Sequence, residues 1–472
     1  MNLKLFRENI VYSSDTLPKP IVNNPLLRYY KGIQLAEKLV QKQKDFSKPV
    51  EDCILELPEI TEKYVELFEH SSISRSDILV YKDYSIELLN LMSDPTTNTT
   101  KTFPTLLTVA KLINHIKKTG ETVIILTPSS GNKATAFRAA VEKAIEKKLV
   151  AAEKLRTITL IPRESVSKFR ASKLYNDKKL NKLNPVFIYS GDESDDVKKI
   201  AQEFYKKNYQ SLKEKKVFLF YSLHIDNYRV ADTLRAFFDY ESSFDRGNNF
   251  TNSWHVHSVS SAFGLIGYNL GCQVLCEQKL LSEQDLPGYF MVQHLATPDM
   301  IIYLNQNNFD YDNFPEYKYD NNTGLFTQSA LPYFPYYTYD KNELLDSTFY
   351  THKPSTSVTM NDLIMKYGGG GIIVSLAECI NRYPILVKLL RDININIPKD
   401  IRKIREWSLV MAYTGILNAI DRGLIPCGKN LIIHASGFYT DENVQYLSNH
   451  NLISIQRDNA IDKIEHEIYK FI

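Results

Sequence analysis

Between residues 121 and 230 the chain alternates short apolar runs with amphipathic stretches, and this pattern limits the possible folds more than any other feature. TVIILT (122–127), TITLIP (157–162), PVFIYS (185–190) and VFLFYSL (217–223) have strand length and are rich in β-branched and aromatic residues. Set between helical stretches, they are expected to be covered on both faces. Between them lie KATAFRAAVEKAIEKKL, SKFRASKLY and DDVKKIAQEFYKK, which repeat apolar residues at helical spacing. Strands alternating with helices predict an α/β fold, a mostly parallel sheet flanked by helices. A second α/β run follows in HVHSVSS, FGLIGYNLGCQVLCEQKLL and YFMVQHLATPDMIIYL. A third comprises GGGGIIVSLAECINRYPILVKLL, EWSLVMAYTGILNAIDRG and NLIIHAS. Ligands of such sheets bind at the carboxyl ends of strands, and candidate residues are sought there.

The pattern predicts three regions: a mostly helical extension over 1–77, a smaller α/β lobe over 78–223 and a larger one over 224–472. In the extension, Leu35, Ala36, Leu39 and Val40 sit at helix spacing, as do Tyr64, Leu67 and Phe68. DPTTNTTKT (94–102) is a polar loop, and Pro104 reads as the first residue of the helix LLTVAKLINHI. Residues 305–355 are rich in Asn, Asp, Tyr and Phe and weakly periodic, which predicts an insertion or lid. Much of the chain's complement of 30 tyrosines falls there.

Charge and cysteine content exclude several classes. Lys+Arg is 57 against 55 for Asp+Glu, without the basic surplus of a nucleic-acid binder. No apolar run approaches the roughly 20 residues that span a bilayer, and the opening MNLKLFRENIVYSS carries charge inside its apolar stretch. Cys53, Cys272, Cys276, Cys379 and Cys427 form no CxxC pair, so neither a disulfide framework nor a zinc site is expected. Cys272 and Cys276 lie one turn apart on an apolar helix and read as core. His255, His257 and His294 lack the spacing of metal ligands. A soluble, cytoplasmic protein is expected, with neither nucleic acid nor membrane as partner.

Three strand ends carry residues suited to chemistry. In TPSSGNKATA, Ser129, Ser130 and Gly131 put hydroxyls and N–H groups at a helix start, with Asn132 and Lys133 beside them. A helix start attracts anions through its unbonded N–H groups and its dipole. HSVSSAFGLIGY repeats this logic with Ser260, Ser261, Ala262, Phe263 and Gly264. IIHASGFYT ends a strand at Ser436, whose hydroxyl can meet a ring nitrogen. Each motif, taken singly, is equally what an ordinary capped turn shows. GGGG (368–371) precedes a strand instead of opening a helix, so it reads as a flexible connection.

Taken in order, these segments resemble the fold type II pyridoxal-phosphate enzymes, threonine synthase in its long form above all. ILVYKDY (78–84), DPTTNTTKTF (94–103), TPSSGNKATA, IPRESVSKFRASKL (161–174), SGDESDD (190–196), HIDNYRV (224–230), VSSAFGLIGY, ATPDMIIYLNQNNF (296–309) and IIHASG follow that family's motif order over about 78–440. The resemblance implies a two-lobed homodimeric enzyme that uses pyridoxal 5′-phosphate on an amino acid. It implies that Asn132 bonds the cofactor's 3′-oxygen, that the amides around Ser261, Ala262, Phe263 and Gly264 hold its phosphate, and that Ser436 faces the pyridine nitrogen. A neutral hydroxyl there suits lyase and β- or γ-replacement chemistry.

The resemblance fails at one place. The family needs a lysine for its Schiff base, and with Phe103 matched to the family's Phe that position is Pro104. Matched through Pro95-Thr96, it falls near Thr100, which makes Lys101 the candidate, with Lys133 as the second. Where Ala262 stands, the family commonly has Asn. Three readings remain: a lyase or replacement enzyme with Lys101 as catalytic amine, a diverged lysine-less protein that binds a cofactor adduct or another anion, and a scaffold whose 305–355 segment meets a partner.

Overall fold

The computed structural model describes residues 21–43, 55–69, 71–223, 225–245, 252–445, 447 and 451–472. Cys53 and the opening segment 1–20 therefore lie outside the described residues. The chain forms two compact units. The smaller comprises the described residues of Ile33–Ser71, Asp94–Ala231 and Glu442–Ile472, and the larger those of Met1–Gly32, Ser72–Ser93 and Asp232–Asp441.

The smaller unit is built on a five-stranded sheet. Its strands lie in the spatial order Leu452–Ile455, Val186–Tyr189, Leu155–Pro162, Thr122–Pro128 and Val217–Tyr221. All neighbouring pairs are parallel. Every residue of Leu155–Pro162 is buried, Arg156, Thr157 and Thr159 included. One face packs Ile124, Leu126, Ile158 and Leu160 against Val197, Ile200 and Phe204 of the helix Asp196–Glu214. Four of these strands match the expected ones. The fifth, LISI, is too short to stand out by pattern.

SKFRASKLY departs from the helix expected of it. It gives a 3-10 turn over Arg163–Lys168, an extended stretch and a four-residue helix, Lys173–Asn176. Tertiary bonds take the backbone and side chains instead: Ala171 N–H donates to Gln445 O at 3.0 Å, and Phe169 is buried. Pro104 is the third residue of the helix Thr102–Thr119, not its first. Its missing N–H is harmless there, because the first four helical N–H groups lack intrahelical partners.

The larger unit carries an eight-stranded sheet. Its path runs Ile21–Asn23, Ser72–Arg75, Tyr84–Asn90, Asn430–Ala435, Ser253–Ser258, Gly288–His294 and Gly369–Val374, with Leu79–Tyr81 paired to Tyr84–Asn90. The five strands from Tyr84–Asn90 onward are mutually parallel, and the edge pairings before them are antiparallel. The four glycines are not a flexible connection. Gly368 caps the preceding helix and Gly369–Gly371 enter the last strand opposite Tyr289–Met291. At Gly369, φ is 140° and a Cβ would lie 1.8 Å from the Tyr289 carbonyl oxygen, so only glycine permits this pairing. The 305–355 segment folds into a small antiparallel sheet, Lys318–Asp320, Leu325–Thr327 and Tyr337–Thr338, anchored by buried Tyr317 and Phe334. No helix among the described residues is long and apolar enough to cross a membrane. Cys272, Cys276, Cys379 and Cys427 are free thiols, with Cys272 in the core.

Candidate functional site

In the larger unit, two of the three sequence motifs meet at the carboxyl ends of neighbouring strands. Ser253–Ser258 and Asn430–Ala435 pair in parallel with Val256 opposite Ile433. The turn 259–262 and Ser436 therefore leave the sheet side by side, where parallel sheets bind ligands. The turn is fixed from beneath: Val259 N–H donates to Val292 O at 2.9 Å, and Ser258 Oγ to Ser408 O at 2.7 Å. Ala262 caps the helix Phe263–Glu277 in the left-handed region, with φ 51°. That conformation costs an L residue about 1–2 kcal/mol, and Asn adopts it more readily than Ala. Leu265 and Ile266 N–H groups both donate to Ala262 O, at 3.0 and 3.1 Å, which closes the first helical turn.

Gly264 allows a close approach. A Cβ there would lie 2.4 Å from Arg235 Nη1 and 2.8 Å from His257 Cε1. Arg235 is only 1 % exposed and donates Nε and Nη2 to Asp232 Oδ1 at 2.9 and 2.7 Å. A chain of polar groups leads away from it. Arg235 Nη1 lies 3.3 Å from His434 Nδ1, and His434 Nε2 lies 2.8 Å from His255 Nδ1. His255 Nε2 faces Asp239 Oδ2 at 3.5 Å, too far for a strong hydrogen bond. Tyr268 donates to the same oxygen at 2.6 Å, and Arg75 pairs with both Asp239 and Glu87.

The ends of this chain fix its direction. A guanidinium only donates and a carboxylate only accepts. His434 must then accept at Nδ1 and donate from Nε2, and His255 must do the same toward Asp239. Burial, with His255 and Arg235 adding to it, holds His434 well below the usual imidazole range. Burial brings His255 down to about 4, with Asp239 opposing and Arg75 assisting. Both rings are neutral at neutral pH. Sequence spacing gave no sign of this network, because its members come from six separate segments.

In the smaller unit, TPSSGNKATA joins the strand Thr122–Pro128 to the helix Asn132–Glu146 as expected. Ser129 is spent on the turn itself: its Oγ accepts from Gly131 and Ala134 N–H groups, each at 3.1 Å. Gly131 has φ 118°, and a Cβ there would lie 3.3 Å from Lys168 Cβ. Ser130, Asn132 and Lys133 are half-buried at the helix start. Burial first, then Lys198 and Lys101, push the Lys133 ammonium well below the usual lysine range. Lys101 immediately precedes the helix Thr102–Thr119, with Nζ 5.9 Å from the centre of the Tyr228 ring.

Other basic side chains are held by local structure. Arg170 Nη1 donates to the carbonyls of Pro95 and Thr96 and to Asn98 Oδ1, at 3.3, 2.8 and 3.1 Å, which pins the threonine-rich loop. Arg138 is buried and donates to Asn184 O at 2.7 Å. Arg229 faces Asp226 at 3.4 Å. His294 is buried against Phe349 O. No group of His, Cys, Asp and Glu among the described residues could hold a metal ion.

The fold is α/β, with parallel sheets flanked by helices, the architecture of the fold type II pyridoxal-phosphate enzymes. Residues 21–469 match the DUF6002 family, described as a family of unknown function, and the chain belongs to it. No curated protein matches the sequence. Among solved structures, the pyridoxal-phosphate-bound threonine synthase from Brucella melitensis is similar over 93% of this chain and 88% of that one, with TM-score 0.53 and 9% identity. Threonine synthase from yeast is similar over 84% and 81%, with TM-score 0.50 and 9% identity. At these identities the likeness establishes the fold.

Proposed function

We propose that this protein binds pyridoxal 5′-phosphate and acts on an amino acid as a lyase or a β- or γ-replacement enzyme. The observation that carries the reading is the turn 260–264. It opens a helix at the carboxyl end of a parallel strand, holds Ala262 left-handed, and keeps a glycine where no Cβ fits. A helix start of this kind supports the reading of a phosphate seat, and Ser436 directly follows the adjoining strand. The similar threonine synthase from Brucella melitensis is described with this cofactor bound, which supports the choice.

In this reading the amides around Ser261, Ala262, Phe263 and Gly264 would take the phosphate. Ser436 would offer a neutral hydroxyl to the pyridine nitrogen, and Asn132 would bond the 3′-oxygen. When bound, the cofactor supplies an electron sink for carbanions beside the amino nitrogen of the substrate. Lys101 is the amine assigned to the cofactor. A second reading gives that role to Lys133, because a nucleophilic amine must be unprotonated and its surroundings favour that state. A third keeps the cofactor pocket without a bonded lysine, since Pro104 occupies one of the matched positions.

Borohydride reduction of the cofactor-incubated protein, followed by peptide mass mapping, separates the three. A pyridoxyl group on Lys101 supports the first reading and one on Lys133 the second. Cofactor uptake with no fixed group supports the third. A protein that takes up no pyridoxal phosphate in equilibrium dialysis refutes the proposal.

A further inference from the structure

We propose that His352, oriented by Asp299, is an acid–base residue that moves a proton on the bound amino acid. The assignment deepens the function proposed above and rests on it.

Asp299 opens the helix Asp299–Gln306, just beyond the carboxyl end of the strand Gly288–His294. That strand is the parallel neighbour of Ser253–Ser258, whose end carries the 259–264 turn. Gln293 ties the two together: its Oε1 accepts Met300 and Ile301 N–H groups at 3.0 and 3.1 Å, and its Nε2 lies 3.5 Å from Val259 O. The segment after the insertion closes over the same place, where Thr356 Oγ1 donates to Ser261 O at 2.8 Å. Asp299 and His352 thus stand at the sheet edge that carries the 260–264 turn and Ser436, all within one unit.

The pair is built as an oriented imidazole. The Asp299 side chain is 0% exposed, while that of His352 is 57% exposed. Asp299 Oδ2 accepts from His352 Nδ1 at 3.2 Å and from Tyr311 Oη at 3.1 Å, and Oδ1 accepts from Lys353 N–H at 2.9 Å. Burial alone would raise this carboxyl, but the bonds from His352 and Lys353 prevail and hold it below the usual range. A carboxylate only accepts, so neutral His352 carries its hydrogen on Nδ1 and its lone pair on Nε2. An imidazole held this way by a buried carboxylate is suited to general acid–base work. Lys353 is left-handed, with φ 44°, a strained conformation for a residue other than glycine. The strain places its N–H on Asp299.

In the forward step the substrate C–H bond breaks and its electron pair stays on the substrate carbon. The proton forms an N–H bond at His352 Nε2, and the imidazolium is balanced by the Asp299 carboxylate. The reverse step returns the proton.

The test has two readouts on the full chain. Nitrogen-15 NMR of histidine-labelled protein, with the signal assigned by its loss in His352→Gln, is expected to show Nδ1 protonated. In Asp299→Asn that preference is expected to weaken. A ring that carries its hydrogen on Nε2 overturns the proposal. The second readout is deuterium uptake from D2O at Cα of L-serine, L-threonine and O-phospho-L-serine, with pyridoxal phosphate present. His352→Gln is expected to lower it by about 10²–10⁴-fold while cofactor uptake in dialysis stays intact. Exchange that is unchanged in His352→Gln, or absent in a wild type that binds the cofactor, overturns the assignment and leaves the cofactor reading standing. Failure of the wild type to bind the cofactor overturns both, and dialysis shows it separately.

Discussion

Gly264→Ala sets two effects against each other. Gly264 is the second residue of the helix Phe263–Glu277, where alanine is normally preferred to glycine by about 1 kcal/mol. Propensity alone therefore predicts a more stable protein. The structure predicts the reverse. The new methyl carbon would sit 2.4 Å from Arg235 Nη1 and 2.8 Å from His257 Cε1, inside any van der Waals distance. Arg235 cannot simply swing away, because Asp232 holds it through two nitrogens and His434 lies at a third. Overpacking of this kind costs about 1–3 kcal/mol, and a lost charged hydrogen bond adds about 1.5–3 kcal/mol. After the propensity gain, a net loss of about 1.5–5 kcal/mol is expected. The chain's two tryptophans, Trp254 and Trp407, both belong to the larger unit, so their fluorescence during urea unfolding reports on that unit. The midpoint should fall with little change in slope. A midpoint that stays or rises would show that Arg235 does not sit under the turn as described.

Two further outcomes follow from buried charge. His255 falls to about 4 in the folded protein from an ordinary 6.5, so the unfolded chain binds the proton first as pH falls. Stability of the larger unit is therefore full above about 6.5 and lost progressively toward 4, by roughly 3 kcal/mol from this group. His434 acts in the same direction. Tryptophan-monitored unfolding that is flat between pH 7 and 5 would contradict the neutral histidine pair. In the smaller unit, Arg170→Ala removes the donor that serves Pro95 O, Thr96 O and Asn98 Oδ1. Amide hydrogen exchange over 94–101 should accelerate by roughly ten-fold or more, as loss of about 1.5–3 kcal/mol implies; unchanged exchange would mean that the loop holds itself.

How far the sequence discloses this architecture depends on whether the information is local. Runs such as TITLIP, short and set between helical stretches, pointed to parallel strands covered on both faces, and the strand Leu155–Pro162 is buried throughout. Turns such as 127–134 were legible because hydroxyl and glycine residues between a strand and a helix have few other uses. What escaped detection is non-local. Arg75, Asp239, His255 and His434 come from distant segments, and only the folded sheet makes them one network. Asp299 and His352 are 53 residues apart, joined by an insertion whose weak periodicity hid its own small sheet. GGGG misled for the opposite reason. Glycine usually marks a loop, but at Gly369 it marks the nearness of another backbone.

The strained positions show where the larger unit places its costs. Among the described residues, ten other than glycine have positive φ. Lys148, Lys216, Lys279, Asn307 and Asn394 fall within two residues after a helix ends, the usual place for the left-handed conformation. Asn24 and Asn98 are residues that tolerate it, and Lys82 sits in the tight turn between the strands Leu79–Tyr81 and Tyr84–Asn90. Ala262 and Lys353 have no such excuse. One shapes the turn that presents helix N–H groups, and the other aims its N–H at Asp299. Local strain persists only where the surroundings over-determine it, and it gathers at functional sites. That both unexcused residues border the same sheet edge is evidence, independent of any resemblance, that this edge is where the unit works.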